Sequence, residues 1–261
     1  MNVGIIGYGS MGKMLADKFA LKGESVYVST RSEEKLKTAP AALHVCSSNK
    51  EAAQASDIVF VCVRPVDMED VIRDIDGVMK EDSLLVSLNG SISFERIGEW
   101  THRKASKVIP SVTAEIDRSQ TLVTHNKSVT DEDKESLKKL LTHIGNVIEL
   151  PENEMGMGSE LVSCMPGFIA SMFDVVCESA KKHTSIPDEQ IVKMVLNTMS
   201  ATGDLMLRND LSFEDVVTRV ATKGGITEEG TKVIYEHFPS TADELFEKTL
   251  EKRRKTAQWK K

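Results

Sequence analysis

The first twelve residues constrain the fold of this chain more than any other stretch. An apolar run begins at Val3 and is broken by glycines at Gly7, Gly9 and Gly12, in the pattern Gly-x-Gly-x-x-Gly, and a helix-forming segment, Lys13–Ala20, follows. A strand, a tight turn and a helix in this order form the dinucleotide-binding fingerprint. Gly7 permits the turn, Gly9 lets the backbone approach a pyrophosphate, and Gly12 lets helix and strand pack closely.

The start of that helix is the predicted phosphate site. Its first residues, Ser10 and Met11, carry backbone N–H groups without partners inside the helix, and a helix amino terminus has a partial positive charge. The sequence therefore predicts that Gly7, Gly9, Ser10, Met11 and Gly12 bind a dinucleotide cofactor.

The end of the second predicted strand, Ser25–Thr30, indicates which dinucleotide binds. Folds that select NAD place an Asp or Glu about 20 residues past the glycines, where it binds the ribose 2′-hydroxyl. This chain has Arg31 and Ser32 there instead. Arg31 can pair with a 2′-phosphate, and Ser32 can bond to it while it caps the next helix. We therefore expect NADP(H), with NAD(H) as the alternative.

Strand and helix patterns alternate as far as residue 150. The apolar run Asp57–Val63 is typical of a strand buried in a parallel sheet, and Val63, Arg64 and Pro65 end it at the edge where ligands of open α/β folds bind. We predict a Rossmann-type dinucleotide-binding domain at residues 1–151, built on a doubly wound sheet.

Helix patterns replace strand patterns after Pro151, so residues 152–261 are predicted to form a smaller, all-α domain. Its long first helix is apolar on several sides and should kink at Pro166-Gly167. A small domain cannot bury such a helix by itself, so we expect a homodimer or higher homo-oligomer formed through this domain. The other predicted helices start at Pro187, Ser212, Thr227 and Ser240/Thr241.

Composition excludes several classes of protein. A net charge of −7 argues against nucleic-acid binding, and no apolar run approaches the roughly 20 residues that span a bilayer. The four cysteines form no C-x-x-C pair, the six histidines have no metal-ligand spacing, and the fingerprint leaves no room for a signal peptide. We expect a cytoplasmic protein without a metal, a nucleic-acid partner or a membrane anchor.

Three further stretches match a known pattern: Val108–Thr113, Leu161–Phe168 and Val220–Gly230. Together with the fingerprint, Arg31-Ser32 and Val63–Pro65, they make the chain resemble the pyrroline-5-carboxylate reductase family over nearly its whole length. The last stretch is the most specific, because the family carries Ser-Pro-Gly-Gly-Thr-Thr there. Motif details resemble more closely a branch of the family found in bacilli, the late competence proteins.

The resemblance implies an oxidoreductase that acts on a C=N bond, reducing 1-pyrroline-5-carboxylate to L-proline with NADPH. The family binds the substrate carboxylate with backbone N–H groups of this loop, whose glycines map onto Gly224 and Gly225. The family's second threonine, near the imine nitrogen, maps onto Thr227. Lys223 adds a cation beside this carboxylate site.

Departures from the family pattern leave alternatives open. Thr222-Lys223 replaces Ser-Pro, Ile226 replaces the first threonine, Lys107–Ser111 replaces Arg-x-Met-Pro-Asn, and Met165 replaces a glycine in Ser-Gly-Ser-Gly-Pro-Ala. The alternatives are a non-catalytic or regulatory paralogue that binds NADP(H), and a reductase of another small cyclic imine.

Overall fold

One sheet organises the first half of the chain. The computed structural model describes residues 1–37 and 39–257. Within them the sheet has eight strands in the order β3-β2-β1-β4-β5-β6-β7-β8, and every neighbouring pair is parallel except β6 and β7. This topology confirms the doubly wound fold. The strands are β1 (Asn2–Ile6), β2 (Ser25–Ser29), β3 (Leu43–Val45), β4 (Ile58–Val61), β5 (Leu84–Ser87), β6 (Ala105–Ile109), β7 (Ser119–His125) and β8 (Gly145–Glu149).

Helices cover both faces of this sheet, so the central strands are apolar on both sides. Alternate residues of β4 show this: Phe60 belongs to one buried cluster with Leu15 and Phe19, while Val59 belongs to another with Ile72. The helices are α1 (Ser10–Leu21), α2 (Asn49–Ala55), α3 (Met68–Asp76), α4 (Phe94–Gly98) and α5 (Asp131–Leu141). The sequence Thr130-Asp-Glu-Asp133 predicts a capping box at a helix start, and the structure confirms it, with Thr130 and Asp133 bonded reciprocally at the start of α5.

Gly145, at the start of β8, is a position that only glycine fits. Its φ of 140° and ψ of −151° lie in a region that is essentially restricted to glycine, and an added Cβ would lie 2.2 Å from the carbonyl oxygen of Ser119. We expect Gly145→Ala to lower the free energy of unfolding by about 3 kcal/mol or more, because backbone strain and overpacking add. Urea denaturation would measure this.

Gly77→Ala is the matched control for this prediction. Gly77 has a φ of −74°, and beyond its own helix and chain neighbours no heavy atom of the described residues lies within 4 Å of an added Cβ. Alanine there should change the free energy of unfolding by less than about 1 kcal/mol. Equal effects of the two substitutions would contradict the role given to Gly145.

The second half of the chain is helical, and its first long helix is interrupted. A π-helical turn, Glu160–Cys164, separates two α-helical parts just before Pro166. Proline has no N–H group, so the regular bond to the carbonyl of residue 162 cannot form. The interruption is therefore a π turn that ends just before Pro166, and the expected kink at Pro166-Gly167 itself stays a prediction. The helices are α6 (Met155–Ser159), α7 (Met165–Ala180), α8 (Asp188–Asn209), α9 (Phe213–Val220) and α10 (Ile226–Ala257).

Two expectations about α10 are wrong. Thr227 does not cap it but lies in its first turn, and no break occurs at Ser240/Thr241, since α10 is one helix of 32 residues with Pro239 inside it. A proline costs one backbone hydrogen bond and some strain, and the strong helix formers that predominate from Ala242 to Ala257 continue the helix beyond it.

The chain divides into two compact units. One contains Met1–Pro166 together with the segment from Leu250, and the other is Gly167–Thr249. The sheet ends at Glu149, and the predicted division between residues 151 and 152 stays a prediction.

The second unit has almost no core of its own. All of Gly167–Thr249 lies within the described residues, and only Cys177 and Ile191 are buried there. Large apolar side chains such as Val175, Leu207 and Tyr235 are exposed. A helical unit needs a buried apolar face to be stable, so these side chains indicate that the unit is completed by another chain.

One helical stretch departs from the expectation about membranes. Residues Glu152–Ala180 form 29 residues of helix that are long and apolar enough to cross a bilayer by length and composition alone. The sequence expectation rested on uninterrupted apolar runs, whereas this stretch mixes apolar residues with glycine, serine and alanine. Only 11% of its most apolar part is buried within the chain.

Candidate functional site

The turn between β1 and α1 has the geometry that the glycine pattern predicts. Gly7 has a φ of 101°, which favours glycine, and its N–H donates to the carbonyl of Ser29 at the end of β2. Gly12 is buried, and a Cβ there would lie 2.0 Å from the carbonyl oxygen of Gly7. The turn therefore places the start of α1 directly against the end of β1.

The amino terminus of α1 is left available to an anion. Gly9 is its N-cap and provides no side-chain hydrogen bond, and the described first turn contains no acidic residue. The start of α5 differs, because Thr130 caps it and three acidic side chains occupy its first turn. Unpaired N–H groups and an uncompensated dipole make the start of α1 the better site for phosphate.

A cleft of about 320 Å³ opens beside this helix start, at the carboxyl ends of β1, β2 and β4. This is the edge at which open α/β sheets bind ligands. Apart from Gly9 and its two chain neighbours, no heavy atom of the described residues lies within 4 Å of a Cβ added at Gly9, so a ligand can approach the backbone there. The residues that line the cleft include Gly7, Tyr8, Gly9, Thr30, Arg31, Ser32, Lys35, Asn49, Val63, Arg64, Asp67 and Asp70.

Most of the predicted cofactor residues come together around this cleft. Gly7, Gly9, Arg31, Ser32, Val63 and Arg64 line it. The remaining four predicted residues support it: Ser10, Met11 and Gly12 form the first turn of α1, and Pro65 begins the 3-10 turn Pro65–Asp67. Ser32 precedes a 3-10 turn, but its side chain makes no capping hydrogen bond, so the expected capping role is wrong and the exposed hydroxyl is available to a ligand.

Two arginines at the rim of the cleft share one carboxylate. Arg31 Nη2 and Arg64 Nε each donate to Asp67 Oδ2, both at 3.1 Å. The hydrogen bond from Arg64, together with the charges of both arginines, holds the pKa of Asp67 below its ordinary value. Asp67 is therefore ionised at neutral pH, and it holds two guanidinium groups at one edge of the cleft.

Sequence reasoning missed several residues of the cleft. Asp67 and Asp70 belong to the segment after Pro65, and only the 3-10 turn brings them to the rim. Asn49, which accepts a hydrogen bond from Ser29 Oγ at 2.7 Å, comes from the start of α2. Lys35 lies near Arg31 in the chain and gave no separate signal, whereas Asn49 and Asp67 are too far from the glycines in sequence for any local pattern to connect them.

The predicted substrate loop lies in the second unit, before α10. Gly224 has a φ of 73°, and the N–H of Gly225 donates to the carbonyl of Thr222 at 2.8 Å. Lys223 and Thr227 are both exposed. The loop is thus a glycine turn leading into a helix amino terminus, an arrangement suited to an anion.

A carboxylate of the chain itself already bonds to this loop. Glu228 Oε2 accepts the N–H of Gly224 at 2.7 Å and lies 3.8 Å from Lys232 Nζ. Sequence reasoning missed Glu228, although Thr227 and Glu228 are adjacent. A substrate carboxylate that used the Gly224 N–H would compete with this side chain.

The substituted segment on β6 contains a buried cation. Lys107 is 2% exposed, and its Nζ donates to the carbonyl of Ile92 at 3.1 Å and to Glu152 Oε1 at 2.7 Å. The same Glu152 oxygen accepts the N–H of Phe94. Lys107 therefore ties the loop after β5 to the segment that follows the sheet.

The π turn before Pro166 contains a buried ion pair. Glu160 is 1% exposed and accepts hydrogen bonds from Arg253 Nε and Nη2, while its Oε2 has no partner among the described residues. Burial, then the nearby Glu160 charge, raise the pKa of the Cys164 thiol in the same turn. Met165 begins α7 directly after this turn. The ion pair joins the end of α10 to the helix that carries the substituted segment.

No metal site is evident. Over residues 1–37 and 39–257, His, Cys, Asp and Glu form no group of three or more that could hold a metal ion. The four cysteines, all within this part of the chain, are free thiols.

Two family models match different parts of the chain. Residues 2–90 match the family model described as NADP oxidoreductase, coenzyme F420-dependent. Residues 152–256 match the model described as pyrroline-5-carboxylate reductase dimerisation. The first match covers the nucleotide cleft, and the second covers the substrate loop together with most of the helical half.

Individual proteins match over nearly the whole length. Pyrroline-5-carboxylate reductase 3 of Bacillus subtilis (strain 168) is 31% identical over 257 residues, covering 96% of this chain and 94% of the relative. ComE operon protein 4 of the same organism is 23% identical, with 95% and 94% covered. The structure of Plasmodium falciparum pyrroline carboxylate reductase with NADP bound has a TM-score of 0.88 at 21% identity, covering 99% of this chain and 98% of that one.

Proposed function

This chain belongs to the pyrroline-5-carboxylate reductase family, and from that membership we infer that it reduces 1-pyrroline-5-carboxylate to L-proline. The observation that carries this function is the 31% identity to a reductase of that name over nearly the whole chain. The chain is an oxidoreductase that acts on a C=N bond. Its cofactor is NADP(H), as in the NADP-bound reductase of the same fold.

The nucleotide cleft fits this cofactor. The open space at Gly9 and the uncapped start of α1 suit a pyrophosphate, and Arg31 and Ser32 suit a ribose 2′-phosphate at the rim. We assign binding to Gly7, Gly9, Ser10, Met11, Gly12, Arg31, Ser32, Val63, Arg64 and Pro65. When bound, the reduced nicotinamide would supply a hydride to the imine carbon, and the imine nitrogen would gain a proton from solvent as the C=N bond becomes a C–N bond.

The loop before α10 binds the substrate and orients its imine group. The backbone N–H of Gly224 and the ammonium of Lys223 bind the substrate carboxylate, and Gly225 forms the turn that presents them, its own N–H being bonded to the Thr222 carbonyl. The Thr227 hydroxyl donates a hydrogen bond to the substrate near its imine nitrogen and orients it for reduction. Both proposed roles follow from the family motif, and the glycine turn and helix start at this loop support them.

The protein is a homo-oligomer, in keeping with the dimerisation family that its helical half matches. We propose a dimer formed through this half, because the exposed apolar side chains of α7, α8 and α10 require a partner surface. The apolar stretch Glu152–Ala180 then contributes to that interface and does not enter a membrane. The net charge of −7 supports the absence of a nucleic-acid partner, and we propose a cytoplasmic location.

Glu228→Gln is expected to strengthen substrate binding. The glutamine oxygen can still accept the Gly224 N–H, but it carries no charge to repel the substrate carboxylate. We expect KM for 1-pyrroline-5-carboxylate to fall about threefold with little change in kcat, since exposed charge pairs have small effects. Steady-state kinetics at saturating NADPH would measure both.

The adjacent Glu229→Gln is the control for general charge. Glu229 is exposed and pairs with Lys232 at 2.7 Å. The Glu229→Gln substitution removes the same charge one residue further along the helix, and it should leave KM for 1-pyrroline-5-carboxylate almost unchanged. A rise in KM for Glu228→Gln would mean that Glu228 serves the loop conformation and does not compete with the substrate.

Turnover by the purified protein tests the proposed function. NADPH oxidation is followed with 1-pyrroline-5-carboxylate over a range of protein concentrations, with NADH in parallel. We expect turnover proportional to protein and faster at limiting NADPH than at limiting NADH. NADPH binding without turnover would instead favour the regulatory paralogue, or a reductase of another cyclic imine.

A further inference from the structure

Asp67 lies at the start of a helix, but its side chain bonds to two arginines instead of capping that helix. It is the N-cap of α3, the position where Asp often accepts a backbone N–H of the helix, yet its side chain makes no capping hydrogen bond among the described residues. Its Oδ2 instead accepts one hydrogen bond from Arg31 and one from Arg64, both at 3.1 Å. The carboxylate thus faces the cleft and not the helix.

The two arginines are exposed, whereas Asp67 is not. The side chains of Arg31 and Arg64 are 78% and 73% exposed, and that of Asp67 is 20% exposed. A carboxylate between two guanidinium groups is the arrangement in which proteins bind phosphate, with Asp67 in the place of the ligand. Both guanidinium groups remain accessible to an anion that enters the cleft from solvent.

The acidic side chains around the cleft weaken its attraction for a phosphate. Arg31, Lys35 and Arg64 contribute three positive charges, and Asp67 and Asp70 contribute two negative charges. A phosphate monoester carries about −1.5 to −2 at neutral pH. Asp67 therefore uses one N–H group of each guanidinium, which a 2′-phosphate would otherwise be free to use, and it repels that phosphate at short range.

We propose that Asp67 is a specificity-determining residue that competes with the cofactor 2′-phosphate for Arg31 and Arg64 and so limits the preference for NADPH over NADH. This inference rests on the proposed function, which places the adenosine ribose of the cofactor at this rim. NADH has no 2′-phosphate, so its binding needs neither arginine to leave Asp67. The internal carboxylate then lowers affinity for one cofactor more than for the other.

The test compares Asp67→Asn with the wild-type chain in cofactor binding. Dissociation constants for NADPH and NADH are measured by fluorescence titration of the full-length protein, and those for 2′,5′-ADP and 5′-AMP by competition. We expect Asp67→Asn to bind NADPH and 2′,5′-ADP about three- to tenfold more tightly, as for loss of one exposed like charge near a dianion. Binding of NADH and 5′-AMP should change less than about twofold.

Asp74→Asn is the matched control. Asp74 lies on the same helix and pairs with Lys50 at 3.1 Å, away from the residues that line the cleft. The Asp74→Asn substitution removes the same charge and should leave all four dissociation constants unchanged. In an Arg31→Ala background, Asp67→Asn should tighten NADPH binding less, because one of the two competing donors is gone.

The outcomes separate this inference from the proposed function. If the wild-type chain binds NADPH and Asp67→Asn binds it no more tightly, Asp67 does not compete with the phosphate and the inference is overturned alone. If Asp67→Asn lost its fold, the ratio of 2′,5′-ADP to 5′-AMP affinity in Asp67→Ser would decide in the same way. A wild-type chain that bound neither cofactor would overturn both.

Discussion

Replacing Thr227 by alanine is expected to lower kcat for 1-pyrroline-5-carboxylate about 100-fold while the dissociation constant for NADPH stays the same. Removal of one hydrogen-bond donor that acts on the reacting group has an effect of this size. The residues assigned to the cofactor belong to the first compact unit, and Thr227 belongs to the second. Stopped-flow reduction at saturating substrate and fluorescence titration with NADPH would give the two quantities.

Two further substitutions at this position separate the hydroxyl from the shape of the side chain. Thr227→Ser keeps the hydroxyl and should retain most of the activity, whereas Thr227→Val keeps the shape and should resemble Thr227→Ala. Thr227 is exposed in the first turn of α10, so none of the three changes should alter thermal stability by more than a few degrees. Equal losses of turnover and of NADPH affinity would rule out the assigned role.

The second large effect is expected in the fingerprint, where Gly9→Ala and Gly12→Ala should differ in kind. Apart from its chain neighbours, an added Cβ at Gly9 meets no described heavy atom within 4 Å, and the backbone there has a φ of −80°, so alanine is compatible with the fold. The added methyl group would lie where a pyrophosphate approaches the backbone. We expect NADPH affinity to fall about 10- to 100-fold at unchanged thermal stability, as for a ligand displaced by about 1 Å.

Gly12→Ala should instead destabilise the protein. Its Cβ would lie 2.0 Å from the Gly7 carbonyl oxygen, so α1 would have to move away from β1. We expect the free energy of unfolding to fall by about 3 kcal/mol, with cofactor binding weakened as a consequence. Thermal denaturation with and without NADPH distinguishes the two variants, and loss of stability in Gly9→Ala would contradict the separation of roles.

Both regions assigned to anions of the ligands contain a carboxylate of the chain. Asp67 bonds to Arg31 and Arg64, and Glu228 bonds to the Gly224 N–H. In each case the internal acid uses a donor that the cofactor or the substrate is proposed to use. The predicted effects of Asp67→Asn and Glu228→Gln are therefore of the same sign, tighter binding, and each has a control that removes the same charge nearby.

Local patterns predicted the elements that depend on neighbouring residues. The glycine spacing indicated the β1–α1 turn and its steric demands, the apolar run indicated β4, and Thr130 and Asp133 indicated the start of α5. Each of these signals acts within a few residues, through backbone conformation, capping or side-chain alternation. The predicted break in α10 was wrong because the capping pattern at Ser240/Thr241 lies within one continuous helix, which the helix-forming residues after it extend to Ala257.

The sequence by itself determined the doubly wound fold, the glycine turn and the residues on one side of the cofactor cleft, because those signals are local and periodic. Only the tertiary structure decided which acids face the sites. Arg31 and Asp67 are distant in sequence and meet because β2 and β4 flank β1 and end at the same edge of the sheet. Hydrogen bonds between residues so far apart depend on strand order and on the 3-10 turn after Arg64, and neither leaves a pattern in the sequence.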